Sequence, residues 1–167
     1  MEIYLLRHGI AVTTHAKIAS NAERPLSKKG SERMSKGAKG LLSLGVSFDR
    51  ILTSPLLRAQ QTAQVVAEVL KMGEQLEEIR ELAPEGSAEG LIGRLAAYQG
   101  KKGLLLVGHQ PLLGETASLL LSKGKKIELK LKKGGICCIE VDRLPPEKPG
   151  ILHWMLTPKQ LRSLAES

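Results

Sequence analysis

Leu104-Leu105-Leu106-Val107, entered from Gly103 and left through Gly108-His109, is apolar at every position. A strand with one wet face alternates polar and apolar residues. An unbroken run belongs to a strand covered on both faces, as in a parallel sheet with helices above and below. Parallel neighbours need crossover connections, usually helical, and the rest of the chain is patterned to provide them. Ile3-Tyr4-Leu5-Leu6 is a second apolar strand. Residues 49–53 form another around Ile51 and Leu52, and residues 76–82 hold one that ends near Glu81. A helix over 27–44 places Met34, Ala38, Leu41 and Leu42 on one face, with Ser27 as its cap. Gly30, Gly37 and Gly40 weaken it, so either the helix is marginal or something packs closely there. Ala59, Thr62, Ala63, Val66, Val69 and Leu70 recur at helical spacing. Thr53 or Ser54 would cap that helix and Pro55 would take its first position. Residues 87–98 and 111–121 read as further helices. Strands near 127–131, 135–141 and 151–155 add an antiparallel edge, and Pro158 opens a last helix to Ala165. The expected fold is α/β, a central and mostly parallel sheet between two helical layers, in one domain over residues 1–167.

Polar residues gather where the apolar strands stop. Leu6 is followed by Arg7-His8-Gly9, Thr53 by Ser54 with Arg58 one turn on, and Val107 by Gly108-His109. In open α/β sheets, ligands bind beyond the carboxyl ends of the strands. If the three strands are neighbours, two arginines, two histidines and two helix N-termini share one pocket. Arginine offers a rigid fork of donors for phosphate oxygens. Glycine lets backbone approach a ligand, and imidazole serves as nucleophile or proton carrier. Arg58 sits at the unfavourable end of a helix dipole unless an anion lies between them.

Composition removes other classes. No apolar run nears the roughly 20 residues that cross a bilayer, and Glu2 without a basic leader gives no sign of a signal peptide. A cytoplasmic protein is expected. The net charge is +8, and six lysines fall within residues 123–133, alternating with leucine in Leu129-Lys130-Leu131-Lys132. That pattern reads as a strand with a solvated lysine face. A nucleic-acid partner would call for stacking aromatics or a known module, and neither is present. Adjacent Cys137 and Cys138 offer no disulfide framework. Cys137 and Arg143 satisfy a C-x5-R spacing, but the residues between contain no glycine to wrap an anion and include two acids. Four histidines, His8, His15, His109 and His153, show no metal-ligand spacing.

Four ordered segments carry a resemblance: Leu6-Arg7-His8-Gly9; Arg24-Pro25-Leu26-Ser27 followed by Gly30; residues 53–62, reading TSPLLRAQQT; and Gly108-His109-Gln110-Pro111. Together they are similar to the histidine phosphatase superfamily, which includes the cofactor-dependent phosphoglycerate mutases. The resemblance implies a phosphoglycerate mutase-like sandwich and catalysis without metal or cofactor. His8 would be the nucleophile and form a phosphohistidine intermediate. Arg7 and Arg58 would hold the phosphoryl oxygens, and His109 would complete the pocket. Gly9 would border the substrate, and Arg24 would line the pocket or contact substrate. Glu81 is the candidate general acid, with Glu85 behind it. Ile10 departs from the polar residue that often follows Arg-His-Gly.

Arg58 and His109 stand 51 positions apart. Superfamily members acting on small metabolites place a long helical insertion there; its absence implies an open pocket without a helical lid. The short chain, Glu81-Leu82-Ala83-Pro84 and the ending from Trp154 to Pro158 resemble the SixA-type phosphohistidine phosphatases. The implied substrate is phosphohistidine on a phosphotransfer protein. Alternatives are a small-molecule phosphomonoesterase and a non-catalytic phosphate-dependent binding module; an intact His8 argues against the latter.

Overall fold

The computed structural model describes residues 1–13 and 18–166; His15 lies outside them. Six strands form one sheet: β1 (Glu2–Arg7), β2 (Arg50–Thr53), β3 (Leu76–Glu78), β4 (Gly103–Gly108), β5 (Ile136–Glu140) and β6 (Ile151–Leu156), in the order β3-β2-β4-β1-β5-β6. The first four are parallel; β5 runs antiparallel to β1, and β6 antiparallel to β5. The helices are α1 (Lys28–Ser43), α2 (Leu57–Leu70), α3 (Ala88–Leu95), α4 (Leu112–Ser122) and α5 (Pro158–Ser163).

The apolar run of β4 is central and wholly buried. Its side chains divide by parity, as strand geometry requires. Leu104 and Leu106 join Ile3, Leu5 and Leu52 in a cluster with Leu91, Leu95, Leu113 and Leu120 of α3 and α4. Leu105 and Val107 join Tyr4, Leu6 and Ile51 against Met34, Ala38, Leu41, Ala63, Val66 and Leu161 of α1, α2 and α5. Two cores, one on each face, make the expected three-layer sandwich. Between α2 and β4 lie only β3, α3 and short 3-10 turns, so no helical lid is inserted.

The glycines of α1 mark close packing. The helix is capped by Ser27, whose hydroxyl accepts from the Gly30 backbone N–H at 2.9 Å. A Cβ at Gly30 would collide with the Ile10 carbonyl oxygen, and one at Gly40 with that of Leu161. The helix therefore comes within backbone contact of both the segment after β1 and α5.

Three expectations are corrected. Residues 127–131 form no strand. Leu131 is buried and its lysine neighbours are exposed, so burial alternates as in a strand. Its carbonyl, however, accepts from Arg7 Nη1 at 2.9 Å, and that of Leu129 from Gln110 Nε2 at 3.1 Å. Side chains, not a ladder, satisfy this backbone. The α2 helix starts at Leu57, not Pro55, and has no side-chain cap; Ser54 is engaged elsewhere. Strand β3 ends at Glu78, and Arg80–Leu82 make a 3-10 turn, so Glu81 follows the strand rather than closing it.

Gly40→Ala should lower stability by ~1–3 kcal/mol, because overpacking outweighs the gain in helix propensity. In contrast, an alanine at Gly93, an exposed mid-helix position with open space around it, should raise stability by ~0.5–1 kcal/mol. Urea midpoints of the two variants should move in opposite directions; a shared direction would contradict the close approach of α1 to α5.

Candidate active site

Backbone hydrogen bonds bring the three strand ends together. Arg7 is in register with Gly108, and Thr53 with Val107. Just past the strands, His8 N–H donates to Gly108 O, and Ser54 N–H to Val107 O, each at 3.0 Å. His8 and His109 thus emerge side by side, with ring centroids 5.0 Å apart and planes inclined at 53°. They are 6% and 3% exposed, while Arg58, the second residue of α2, is 6% exposed. Arg7, His8, Arg58 and His109, expected from the sequence, come together at the carboxyl end of the sheet.

The His8 ring has a defined orientation. Its Nδ1 lies 2.7 Å from Gly9 O. A carbonyl only accepts, so Nδ1 carries the proton and Nε2 keeps its lone pair. Thr62 fixes this turn: its hydroxyl accepts from Gly9 N–H at 3.0 Å and donates to Arg58 O at 2.7 Å. One buried side chain thereby joins the histidine and arginine backbones. Gln61 adds a second tie, its Oε1 accepting from Leu26 N–H at 2.7 Å.

His109 is held from behind. Its Nε2 is 2.8 Å from Ser54 Oγ, which already accepts from Leu56 N–H at 3.2 Å. The hydroxyl either donates to Nε2 or accepts from it; in the tautomer where it donates, the imidazole proton is on Nδ1. That atom is buried without a hydrogen-bond partner and can donate to an anion. Ser54, fully buried, stands at a strand end as the sequence suggests, but its hydroxyl meets His109 rather than serving as the cap of α2.

Each arginine is steadied by one backbone carbonyl. Arg7 Nη1 donates to Leu131 O, and Arg58 Nη1 to Asn21 O at 2.8 Å. Arg7 Nε is buried without a hydrogen-bond partner among the described residues. Among the described residues, neither arginine forms an ion pair with a carboxylate. Arg24 lies near enough to Arg58 for its charge to act on it. Its Nε donates to Val12 O at 3.0 Å and its Nη1 to Asn21 Oδ1 at 3.1 Å, so Arg24 and Arg58 meet at Asn21. No sequence pattern singled out Asn21, whose backbone carbonyl does the work.

Glu81 is half-buried in the turn whose Leu82 packs at Gly108. It stands at the same end of the sheet, although no hydrogen bond joins its carboxylate to either histidine. Glu85 is exposed. Cys137 lies in the sheet core, and burial pushes its thiol up to about 12, which removes the C-x5-R reading. His153 pairs with Glu140 at 2.7 Å, linking β6 to β5. Among the described residues, no helix is long and apolar enough to cross a membrane.

Comparison with known families matches residues 3–96 to the histidine phosphatase superfamily (branch 1). The phosphohistidine phosphatase SixA of Escherichia coli (strain K12) is 32% identical over 120 residues, covering 68% of this chain and 70% of its own. An uncharacterized protein of Picosynechococcus sp. (strain ATCC 27264 / PCC 7002 / PR-6) is 42% identical over 138 residues, 81% of this chain and 82% of its own. A solved structure of the protein histidine phosphatase SixA complexed with tungstate aligns at a TM-score of 0.86 with 28% identity. The alignment covers 96% of this chain and 99% of that one.

The environment keeps both imidazoles neutral. Burial lowers His8 to about 4; the Gly9 hydrogen bond, next in size, opposes it, and the charges of Arg58, Arg7 and Lys133 add to the lowering. Burial, then His8, Arg58 and Arg7, lowers His109 to about 3. The ordinary value is 6.5. Between the folded values and 6.5, the unfolded chain binds more protons than the folded one. Stability attributable to these groups is therefore complete above pH 6.5 and declines as pH falls toward 4. Imidazole carbon-bound proton shifts of His8 and His109 in the ligand-free protein should stay flat from pH 8 to about 5. A midpoint near 6.5 for either ring would contradict the buried, cation-flanked geometry.

Proposed function

The chain belongs to the histidine phosphatase superfamily and is a phosphatase of the SixA type; from that premise we propose that it dephosphorylates phosphohistidine on a phosphotransfer protein through a covalent intermediate on His8. The observation that carries this reading is the fixed lone pair of His8 Nε2 in a pocket of uncompensated donors, with no inserted lid between β2 and β4. The proposed enzyme is one domain over residues 1–167, working in the cytoplasm on a protein partner.

In the first step, His8 Nε2 attacks phosphorus in line, from about 3–3.5 Å. The new N–P bond forms as the bond to the substrate imidazole breaks, and the departing nitrogen takes the electron pair and then a proton. The Arg7 and Arg58 guanidiniums and His109 Nδ1–H donate to the equatorial oxygens, where charge is spread in the transition state. Their carbonyl anchors hold them before substrate arrives, so little reorganisation accompanies reaction. In the second step, water attacks phosphorus, the His8 N–P bond breaks and inorganic phosphate leaves. Glu81 is proposed as the group that gives a proton to the leaving nitrogen and takes one from the water. Imidazole is an easier leaving group than an alkoxide, so this assistance matters less than for phosphate esters. Arg24 is proposed to hold the Asn21 loop against Arg58 and to border the substrate.

Exposure to a labelled phosphodonor followed by rapid denaturation at high pH should reveal an acid-labile, base-stable phosphoenzyme. It should be absent in His8→Ala, with turnover lost by at least about 10³-fold. An unlabelled native protein during steady turnover would sink the covalent step. Turnover of a phosphohistidine protein should exceed that of phosphoserine peptides and sugar phosphates; preference for a sugar phosphate would overturn the substrate assignment.

A further inference from the structure

Two clefts border the loop that joins α4 to β5. The larger, about 580 Å³, is lined by Lys125, Lys126 and Lys130 but also by Glu89, Glu115 and Glu128, so its fixed charges offset. The smaller, about 240 Å³, has Gly9 and Ile10 in its wall and five cationic side chains around it: Arg33 of α1, Lys132 and Lys133 of the loop, and Lys159 and Arg162 of α5. No acidic residue lines it. Among the described residues, none of the five cations forms an ion pair.

This cleft is tied to the nucleophile. Gly134 N–H donates to both Arg7 O and His8 O, at 3.0 and 3.1 Å, and Gly135 N–H donates to Lys132 O at 2.7 Å. The backbone bearing Lys132 and Lys133 is thereby pinned to the end of β1. Lys133 is close enough for its charge to depress the His8 imidazole. On the opposite side, α1 and α5 meet at backbone contact through Gly40 and Leu161, which fixes Arg33 relative to Arg162. Like charges held around a small cleft repel one another where they lie within about 8 Å, the screening length at physiological salt, and no ion pair among the described residues offsets them.

We propose that this cleft is a docking site for a carboxylate-rich surface patch on the protein that carries the phosphoryl group, engaged while that group enters the His8 pocket. The inference rests on the reading of the substrate as a phosphorylated protein. Four of the five cations are exposed and Arg162 is half-buried, so the site lacks the buried donors that would enclose a second small phosphate. Exposed, converging charge suits the rim of a protein interface, where it speeds encounter and fixes register more than it adds affinity. The apolar Ile10 at the cleft wall offers no competing acceptor.

The test uses the full chain with Arg33→Gln and Lys159→Gln combined; both are exposed and lie outside the phosphoryl pocket. Two readouts separate docking from chemistry. The first is binding of an unphosphorylated, acidic phosphotransfer domain, followed by titration at low and high salt. The second is kcat/KM for the phosphorylated domain and, in parallel, for free phosphohistidine. The expected result is binding and kcat/KM for the domain reduced at least about tenfold, with KM carrying the loss and a flatter salt dependence, while free phosphohistidine is turned over as before. Equal loss on both donors, or no loss on either, overturns the proposal. So does a variant effect confined to small bisphosphates, which would make the cleft a small-ligand subsite. Failure of the native enzyme to turn over the phosphorylated domain would count against the substrate reading itself, whereas the binding readout judges docking without requiring turnover.

Discussion

Two backbone hydrogen bonds, His8 N–H to Gly108 O and Ser54 N–H to Val107 O, hold the site together. They extend the parallel pairing of β1 and β2 onto opposite edges of β4 by one residue beyond the strands. Because β4 is apolar on both faces, a one-residue slip would exchange its two sets of core side chains between helical layers. The packing that fixes register for the core therefore also fixes the separation of the histidines. Once the strand ends are set, Arg58 follows from α2, since Thr62 links Arg58 O to Gly9 N–H.

Legibility in the sequence followed the range of the interactions involved. The run 104–107 identified a central strand because burial on both faces leaves no room for alternation. The glycines of α1 signalled either weakness or contact, and the structure selects contact with Ile10 and Leu161. Arg7, His8, Arg58 and His109 were legible because each follows a strand directly or by one turn. The segment 127–131 misled because burying Leu131 and exposing its lysine neighbours gives the same period of two without a ladder. Its carbonyls bind Arg7 and Gln110, partners more than fifteen residues away in sequence that no local pattern reveals. Ser54 was misassigned for a related reason. A serine before Pro55 looks like a helix cap, and only the tertiary approach of β4 to β2 turns its hydroxyl toward His109.

Electrostatically, the site sets two buried imidazoles among cations. Burial and neighbouring cations keep both imidazoles neutral, so His8 retains its lone pair and His109 adds no net charge. Among the described residues, Arg7 Nε and His109 Nδ1 are buried without hydrogen-bond partners. Under the proposed function, a phosphoryl group engages such buried polar atoms, each of which costs about 1–3 kcal/mol when left unsatisfied.

The short connection between β2 and β4 bears on substrate size. A small ligand gains selectivity by being surrounded, and surrounding it takes additional chain. Here the intervening chain is used up by α2, β3, α3 and three short turns, and α2 and α3 are occupied in the two cores against the sheet. What remains beside the pocket is the lysine-bearing loop, pinned to His8 at Gly134 and exposed beyond it. Such a rim, under the proposed function, meets a protein surface rather than enclosing a metabolite. Under the proposed function, discrimination shifts from walls around the phosphoryl group to charge beside it. A site so arranged selects among proteins by the acidity of the surface that carries the phosphohistidine, leaving the phosphoryl pocket free to be optimised for the transfer alone.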